Sequence, residues 1–333
     1  MSRTTTRSVK IRARVHGADR TTTVGRVAVY AVIGVFVVTV VGCSTAPRAP
    51  EQITEVRNQA AQNSESGNRY FRQGNYELAM QFFEQALRLN NSVDHRDGAA
   101  GSHNSIGRVY LAVGEIERAA DAFAVAYAIG EEAQNGRVLL QSATNLAEAA
   151  ARAGDLDRAE TYLDTADTHR TTDSNPGDLA VLLHNRASVA ARRGDFGRAE
   201  QFLRDAIAHN ESARLHTELA ANHFLMASIL TRQGELERAL AEAERALDLD
   251  KQMENSVGIA ADLRALGLIS RRLGRIAAAV NYLERSLYVT VSIGLVAQSA
   301  ELLEILEELE TESGRPERAA RYRQQRDILD AAR

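Results

Sequence analysis

The sequence predicts an all-α protein, an α-α solenoid of about seven stacked helical hairpins. Glycine recurs every 40 residues, and the apolar residues between successive glycines recur at the threes and fours typical of helices. An alanine stands five residues after each glycine. A hairpin with two apolar faces cannot bury both alone, so the repetition indicates that equivalent hairpins stack on one another. The glycines are Gly74, Gly114, Gly154, Gly194, Gly234, Gly274 and Gly314, and the alanines are Ala79, Ala119, Ala159, Ala199, Ala239, Ala279 and Ala319.

The segment 67–89, GNRYFRQGNYELAMQFFEQALRL, contains the first complete unit. It predicts two short amphipathic helices with a turn at Gly74. Large side chains such as Tyr70 and Phe83 alternate with small ones such as Gly67 and Ala79. Two antiparallel helices with this alternation can approach closely and interlock their side chains.

This unit resembles the tetratricopeptide repeat (TPR) family, whose order is small residue, aromatic, glycine, aromatic, alanine, aromatic, alanine. The positions that match are Gly67, Tyr70, Gly74, Tyr76, Ala79, Phe83 and Ala86, and again Gly107, Tyr110, Gly114, Ile116, Ala119, Phe123 and Ala126. The period exceeds the usual 34 residues and resembles the longer-helix members that act in scaffolding and signalling. The resemblance implies a right-handed solenoid over residues 55–333. Its seventh repeat, where Arg323 and Arg326 replace apolar residues, is expected to be a polar cap.

Residues 1–42 have the layout of an export signal. Seven basic residues and one acidic residue precede an apolar run, Val27 to Val41. As a helix this run spans about 22 Å at about 1.5 Å per residue, less than the roughly 30 Å of a bilayer core. A cleaved signal is therefore favoured over a membrane span. The start of the signal fits either Met1 or Val24.

The run ends in Val40, Val41, Gly42 and Cys43, which resembles the bacterial lipobox. The resemblance implies a lipid anchor with palmitate on Cys43 and, because Ser44 follows, sorting to an outer membrane, facing the periplasm. The alternative is that this single cysteine is simply a small apolar residue. Residues 43–54, with two prolines and small polar side chains, predict a flexible tether.

Composition narrows the classes of function. The whole chain carries 40 Lys plus Arg and 44 Asp plus Glu, so removing residues 1–42 leaves 33 against 43, a formal charge of −10. This charge disfavours nucleic acid as a partner. The sequence contains no motif of a hydrolase or nucleotide-binding loop, and His216 with His223 lacks a third metal ligand. We therefore expect no enzyme activity, cofactor, metal or small-molecule substrate.

The TPR resemblance implies that the first helix of each hairpin lines a concave groove. The thirteenth position of five of the seven repeats is arginine, either because a helix C-terminus favours a cation or because the guanidinium reads a partner. Amides nearby are able to hold an extended backbone. The candidate partner-binding residues are Arg72, Arg108, Arg152, Arg192, Arg232, Arg272, Asn104, Asn145 and Asn185. They predict a protein or peptide partner, with carboxylates if the arginines read it.

Two functions remain open. In the first, the protein is a lipid-anchored scaffold or adaptor of the bacterial cell envelope that binds a partner in its groove. In the second, Val27 to Val41 stays as an inner-membrane anchor and the repeats act in the cytoplasm as a regulator or sensor.

Overall fold

The structure, a computed structural model, describes residues 50–331. This part of the chain contains fourteen α-helices and no strand. The helices are α1 (Pro50–Arg72), α2 (Tyr76–Ser92), α3 (Arg96–Ala112), α4 (Ile116–Ala133), α5 (Gly136–Arg152), α6 (Leu156–Thr168), α7 (Pro176–Arg192), α8 (Phe196–Ala213), α9 (His216–Gln233), α10 (Leu236–Gln252), α11 (Ser256–Arg272), α12 (Ile276–Ser292), α13 (Val296–Glu312) and α14 (Pro316–Ala331).

Successive helices pack as seven hairpins, from hairpin 1 (α1 and α2) to hairpin 7 (α13 and α14). Packing is most extensive within a hairpin, and each second helix also packs on the first helix of the next hairpin. The predicted solenoid of about seven hairpins is confirmed.

The periodic glycines lie at the turn inside each hairpin, as predicted. All seven have a positive φ, between 69° and 88°. In the first turn Gly74 directs the chain back so that the Asn75 N–H donates to the Tyr70 carbonyl at 2.9 Å. A left-handed residue in this place ends a helix while satisfying its last carbonyls, and glycine adopts that conformation without a Cβ penalty.

The periodic alanines form the close contacts between helices. Their exposure runs from 0% to 3%, which includes Ala159, whose burial the predicted fold requires. Phe83 and Phe123 pack directly on Gly67 and Gly107, where an added methyl group would overlap the ring. The alternation of large and small side chains thus sets the spacing of the two helices in a hairpin.

The acidic residues that open the second helices act in two ways. Asp155 and Asp195 each accept a hydrogen bond from the backbone N–H three residues on, as expected of N-cap residues. Glu115 and Glu235 make no such bond and instead pair with the arginine three residues later. The extra methylene of glutamate carries its carboxylate past the backbone donors and towards that arginine.

The last hairpin has a polar outer side. Arg323 and Arg326 of α14 both pair with Glu307 of α13, at 2.7 and 3.2 Å. Among the hairpins of residues 50–331 none packs on the outer side of α14, where charged side chains cost little.

The first helix begins at Pro50, within the segment 43–54 that the sequence assigns to a tether. The first seven residues of that tether, Cys43 among them, and the predicted signal 1–42 lie outside the described residues. Among the helices of residues 50–331, none combines the length and the apolar character needed to cross a bilayer.

Hairpin 1 also reaches hairpin 6. A Cβ placed on Gly74 would lie 3.2 Å from Val257 at the start of α11 and 3.2 Å from Ile293 at the end of α12, and α1 contacts α11. The solenoid of residues 50–331 therefore curves far enough for its first turn to meet a hairpin five repeats away. The first helices of the hairpins enclose a lumen.

Candidate partner-binding site

Two large cavities lie along the lumen, and the odd-numbered helices supply nearly all of their walls. The first, which we call the polar chamber, has a volume of about 470 Å³ and is lined from α3 to α9. The second, the apolar chamber, has a volume of about 410 Å³ and is lined mainly from α9, α11 and α13. Their positions agree with the concave groove that the TPR resemblance implies.

Asparagines link three neighbouring hairpins across the wall of the polar chamber. Asn145 Nδ2 donates to Asn104 Oδ1 at 3.1 Å, and Asn104 Nδ2 donates in turn to the Ser142 hydroxyl at 3.2 Å. Asn185 Nδ2 donates to the Thr144 carbonyl at 3.1 Å. The structure thus brings the three predicted asparagines together. Part of their hydrogen-bonding capacity holds adjacent hairpins in register, and the rest faces the chamber.

His184 and Asn222 are further polar residues of this chamber that the sequence reasoning missed. His184 Nδ1 lies 2.8 Å from Asn222 Oδ1, and burial lowers the pKa of His184 although this hydrogen bond opposes the shift. Asn222 is 1% exposed. The equivalent position is polar in several repeats, as in Ser102, Ser142 and Asp262, so the residue type at 222 alone did not mark it as part of the site.

Four of the predicted arginines form a ladder between hairpins. Each donates from Nη1 to a carbonyl in the last turn of the preceding odd-numbered helix, 41 residues earlier. The pairs are Arg152 to Leu111 at 3.4 Å, Arg192 to Ala151 at 2.6 Å, Arg232 to Ala191 at 2.7 Å, and Arg272 to Thr231. The arginines therefore do bind the C-terminus of a helix. That helix belongs to the preceding hairpin and is not the one that carries the arginine.

The ladder also borders the lumen. Arg152 and Arg192 line a smaller cavity of about 230 Å³, and Arg232 lines the apolar chamber. Arg72 belongs to the first hairpin and lies near enough to Arg108 for its charge to lower the pKa of that group. Arg152, Arg192 and Arg232 therefore both join neighbouring hairpins and line the lumen.

Arg108 differs from the ladder. Its guanidinium lies 4.9 Å from the centre of the Phe71 ring and lines the polar chamber. Its side chain is exposed to solvent. Partial desolvation lowers the pKa of Arg108, while the charges of Glu148 and Glu218 oppose the shift.

The carboxylates of the polar chamber are mostly engaged. Glu148 pairs with Arg152 at 2.8 Å. Asp178 accepts from Arg137 at 2.9 Å and from Gln141 at 2.7 Å. Within the described residues no group of three or more His, Cys, Asp and Glu side chains is arranged to hold a metal ion.

The apolar chamber has a different surface. Its charged side chains are occupied, since Arg264 pairs with Glu301 and Arg232 bonds to a carbonyl. Phe224, which is 37% exposed, contributes the largest apolar side chain of the wall. The other apolar side chains of the wall are Ala227, Val257, Ala260, Ala261, Ala265, Leu268, Ile269, Leu295 and Leu302.

The fold and the lumen define a helical-repeat protein with an enclosed concave surface. One sequence model of the tetratricopeptide repeat matches residues 59–132 and 217–289. A second model of the same repeat matches residues 140–165 and 180–205. The chain belongs to the tetratricopeptide repeat family. Among curated proteins, none matches the sequence.

Solved structures share the fold. A Rap protein complexed with Competence and Sporulation Factor is 17% identical, with a TM-score of 0.63, covering 85% of this chain and 79% of its own. The Rap conjugation gene regulator of plasmid pLS20, in complex with the Phr* peptide, is 16% identical, with a TM-score of 0.62 and coverages of 88% and 81%. Aspartyl phosphate phosphatase F from Bacillus subtilis is 16% identical, with a TM-score of 0.55 and coverages of 84% and 72%.

Proposed function

We propose that this protein is a non-catalytic adaptor of the bacterial cell envelope that binds a protein or peptide in its lumen. The observation that carries the proposal is the lumen itself, where two cavities of about 470 and 410 Å³ follow one another along the odd-numbered helices. Two structures of similar fold are complexes, one with Competence and Sporulation Factor and one with the Phr* peptide. A concave surface of stacked repeats suits an extended ligand.

The proposed location depends on Cys43 and the residues around it. A lipid on this cysteine would hold the solenoid at a membrane, and Ser44 favours the outer membrane. The support for this part of the proposal is the order of basic residues, apolar run and lipobox.

Site-specific photo-crosslinking tests the binding surface. Val181 and Val125 are both apolar and similarly exposed, at 36% and 44%, but only Val181 lines the polar chamber. We expect a photoreactive phenylalanine at position 181 to capture a partner in intact cells and the same residue at 125 to capture none. Adducts at 125 alone would place the partner on the outer surface and reject the proposal.

A Cys43→Ser variant tests the anchor, because a hydroxyl cannot form the thioether to the lipid. We expect it to accumulate as an unprocessed precursor without palmitate labelling, and globomycin to have the same effect on the wild-type protein. Normal labelling, processing and membrane fractionation of the variant would exclude the lipoprotein. Membrane retention of an unlabelled, full-length wild-type protein would favour the inner-membrane regulator.

A further inference from the structure

The apolar chamber lies where the row of first helices loosens. Successive odd-numbered helices pack on each other from α1 to α11, but α11 and α13 pack less closely than any of these pairs. The chamber is lined by α11 and α13 and also by Ser286 and Thr290 of α12, the second helix between them. It is therefore a pocket at one junction of the solenoid and not a feature of every repeat.

The polar side chains of this chamber mostly bond to the protein itself. Three hydroxyl groups of the wall donate to backbone carbonyls, those of Thr231 at 2.7 Å, Ser286 at 2.7 Å and Thr290 at 3.0 Å. Arg264 pairs with Glu301, and Arg232 donates to a carbonyl of α7. Ser228 and Gln298 are the remaining polar side chains of the wall. A ligand in the chamber therefore meets mainly hydrocarbon.

Such a wall favours an apolar chain over a peptide. An extended peptide carries an N–H and a carbonyl on nearly every residue, and each needs a partner in exchange for the water that it loses. The wall offers few partners of this kind. A hydrocarbon chain has no polar group to satisfy, and each methylene group that is buried strengthens binding by up to about fourfold.

The dimensions of the chamber fit one acyl chain. Along α11 its wall extends from Val257 to Ile269, which is about 18 Å at about 1.5 Å per residue. A zigzag of bonds of about 1.5 Å advances about 1.3 Å per carbon, so about fourteen carbons span the wall. An acyl chain in a bilayer has a similar reach, because each leaflet supplies half of the roughly 30 Å hydrocarbon core.

The two ends of the chamber differ. The Val257 end lies against hairpin 1, since a Cβ on Gly74 would be 3.2 Å from Val257. At the other end of the wall, near Ile269, the side chain of Arg232 is exposed to solvent. A chain with a polar head therefore fits with its methyl end at Val257 and its head in the water of the lumen near Arg232.

We propose that the apolar chamber binds a single acyl chain of about fourteen carbons in this orientation. The chain has two sources, the lipid proposed on Cys43 and a free monoacyl lipid. This inference goes beyond the proposed function, which concerns a protein or peptide partner and is tested at position 181 of the polar chamber.

Photoaffinity labelling of the full-length protein tests the proposal. The probe is a monoacyl phosphocholine of fourteen carbons with a diazirine on its last carbon, and mass spectrometry of proteolytic peptides locates the adducts. We expect adducts near Val257 in α11 and near Leu295 before α13, and a diazirine beside the head group should move them to α9 near Arg232. Mapping the adducts separates this site from binding by the apolar run 27–41.

Competition by unlabelled lipids tests the length of the chain. We expect each added carbon to improve competition by up to about fourfold until about fourteen carbons are reached, and longer chains to give no further gain. Competition that does not depend on chain length, or labelling confined to residues 27–41 or to the polar chamber, overturns the inference.

Two alanines at the same position of consecutive hairpins provide matched variants. Ala261 lines the apolar chamber and Ala221 the polar chamber. Ala261→Phe fills the site and should reduce labelling at least tenfold, whereas Ala221→Phe should leave it unchanged. Leu268→Gln keeps the size of a wall residue and should also weaken labelling, which decides the matter if Ala261→Phe does not fold. Equal labelling of the two alanine variants would contradict the proposal.

Labelling in cells fed a diazirine fatty acid distinguishes the two sources. A crosslink between a peptide of α11 and the peptide that contains Cys43 identifies the anchor, and an adduct of lipid alone identifies a free lipid. Cys43→Ser should abolish the first product and leave the second. Cells that give neither product count against the inference, whereas the adducts at position 181 test the proposed function separately, because that residue lines the other chamber.

Discussion

The ladder arginines form hydrogen bonds between neighbouring hairpins. Arg192 places Nη1 2.6 Å from the Ala151 carbonyl, and Arg232 repeats the contact with Ala191 at 2.7 Å. Each of these helix-end carbonyls already accepts the N–H of the following turn glycine at 3.1 Å, and the guanidinium adds a second, charged donor. The sequence predicted a cation near a helix end, but the recipient 41 residues earlier depends on how the hairpins stack.

We expect Arg192→Met to lower the free energy of unfolding by about 1 kcal/mol, because a charged donor to a helix-end carbonyl is lost. The measurement is urea denaturation followed by circular dichroism. Arg204→Met is the control, since Arg204 is exposed and its pair with Glu200 contributes little. Equal midpoints for the two variants would show that the ladder does not stabilise the stacking.

Two buried aspartates at the junction of hairpins 5 and 6 make the stability of the folded protein depend on pH. Asp250 and Asp262 are 5% and 1% exposed. Burial and the charge of Asp250 raise the pKa of Asp262 to about 9, and burial also raises the pKa of Asp250, although Asn255 donates to it at 2.9 Å. The folded protein therefore retains a proton that the unfolded chain releases near pH 4.

Because the folded state binds more protons than the unfolded state over this range, stability falls as pH rises from about 4 towards 9. For one such group the slope reaches about 1.4 kcal/mol per pH unit. We expect Asp262→Asn to flatten this slope and to raise the melting temperature at pH 8, and Asp248→Asn, at an exposed site, to do neither. Parallel pH profiles for wild type and Asp262→Asn would refute the assignment.

At the scale of the hairpin, the sequence was highly informative. The glycine period located all seven turns, and the alanine period located the close helix contacts. Both signals are local, because a left-handed turn and a close approach each require a particular residue type. The start of α1 at Pro50 was not predicted, since a proline is compatible with the first turn of a helix as well as with a tether.

Two glycines of α3 provide a test of this packing. Gly107 lies against the Phe123 ring, whereas no heavy atom outside its own helix and chain neighbours lies within 4 Å of a Cβ built on Gly101. We expect Gly107→Ala to destabilise by about 1–3 kcal/mol through overpacking. Gly101→Ala should stabilise by about 0.5–1 kcal/mol through helix propensity. The measurement is the melting temperature. A decrease for Gly107→Ala together with an increase for Gly101→Ala would show that contact with Phe123, and not the helix itself, requires glycine at position 107.

At the scale of the whole solenoid, the lumen exists because curvature accumulates. A small rotation at each hairpin junction brings hairpin 1 against hairpin 6. The contact between hairpins 1 and 6 depends on all the junctions between them. The sequence therefore predicted a concave groove, but it did not predict that the groove is enclosed or that one chamber is polar and the other apolar. The asparagines were recognised because they recur in neighbouring repeats. The contact between His184 and Asn222 became visible only when α7 and α9 were placed side by side.

The enclosure leads to a prediction about hairpins 1 and 6. A Cβ added to Gly74 would lie 3.2 Å from Ile293, whereas one added to the equivalent Gly114 would have no such neighbour within 4 Å. In a Cys43→Ser background, Gln73→Cys with Ile293→Cys should therefore be joined efficiently by a short bismaleimide. The contact is small compared with those inside the hairpins, so we expect it to open and close without unfolding. A ligand that bridges the chambers should increase the crosslinking yield.

The matched pair Val113→Cys with Ile293→Cys, one hairpin along, should be joined poorly. Equal yields for the two pairs would mean that the solenoid is more open in solution and that its chambers form one continuous groove.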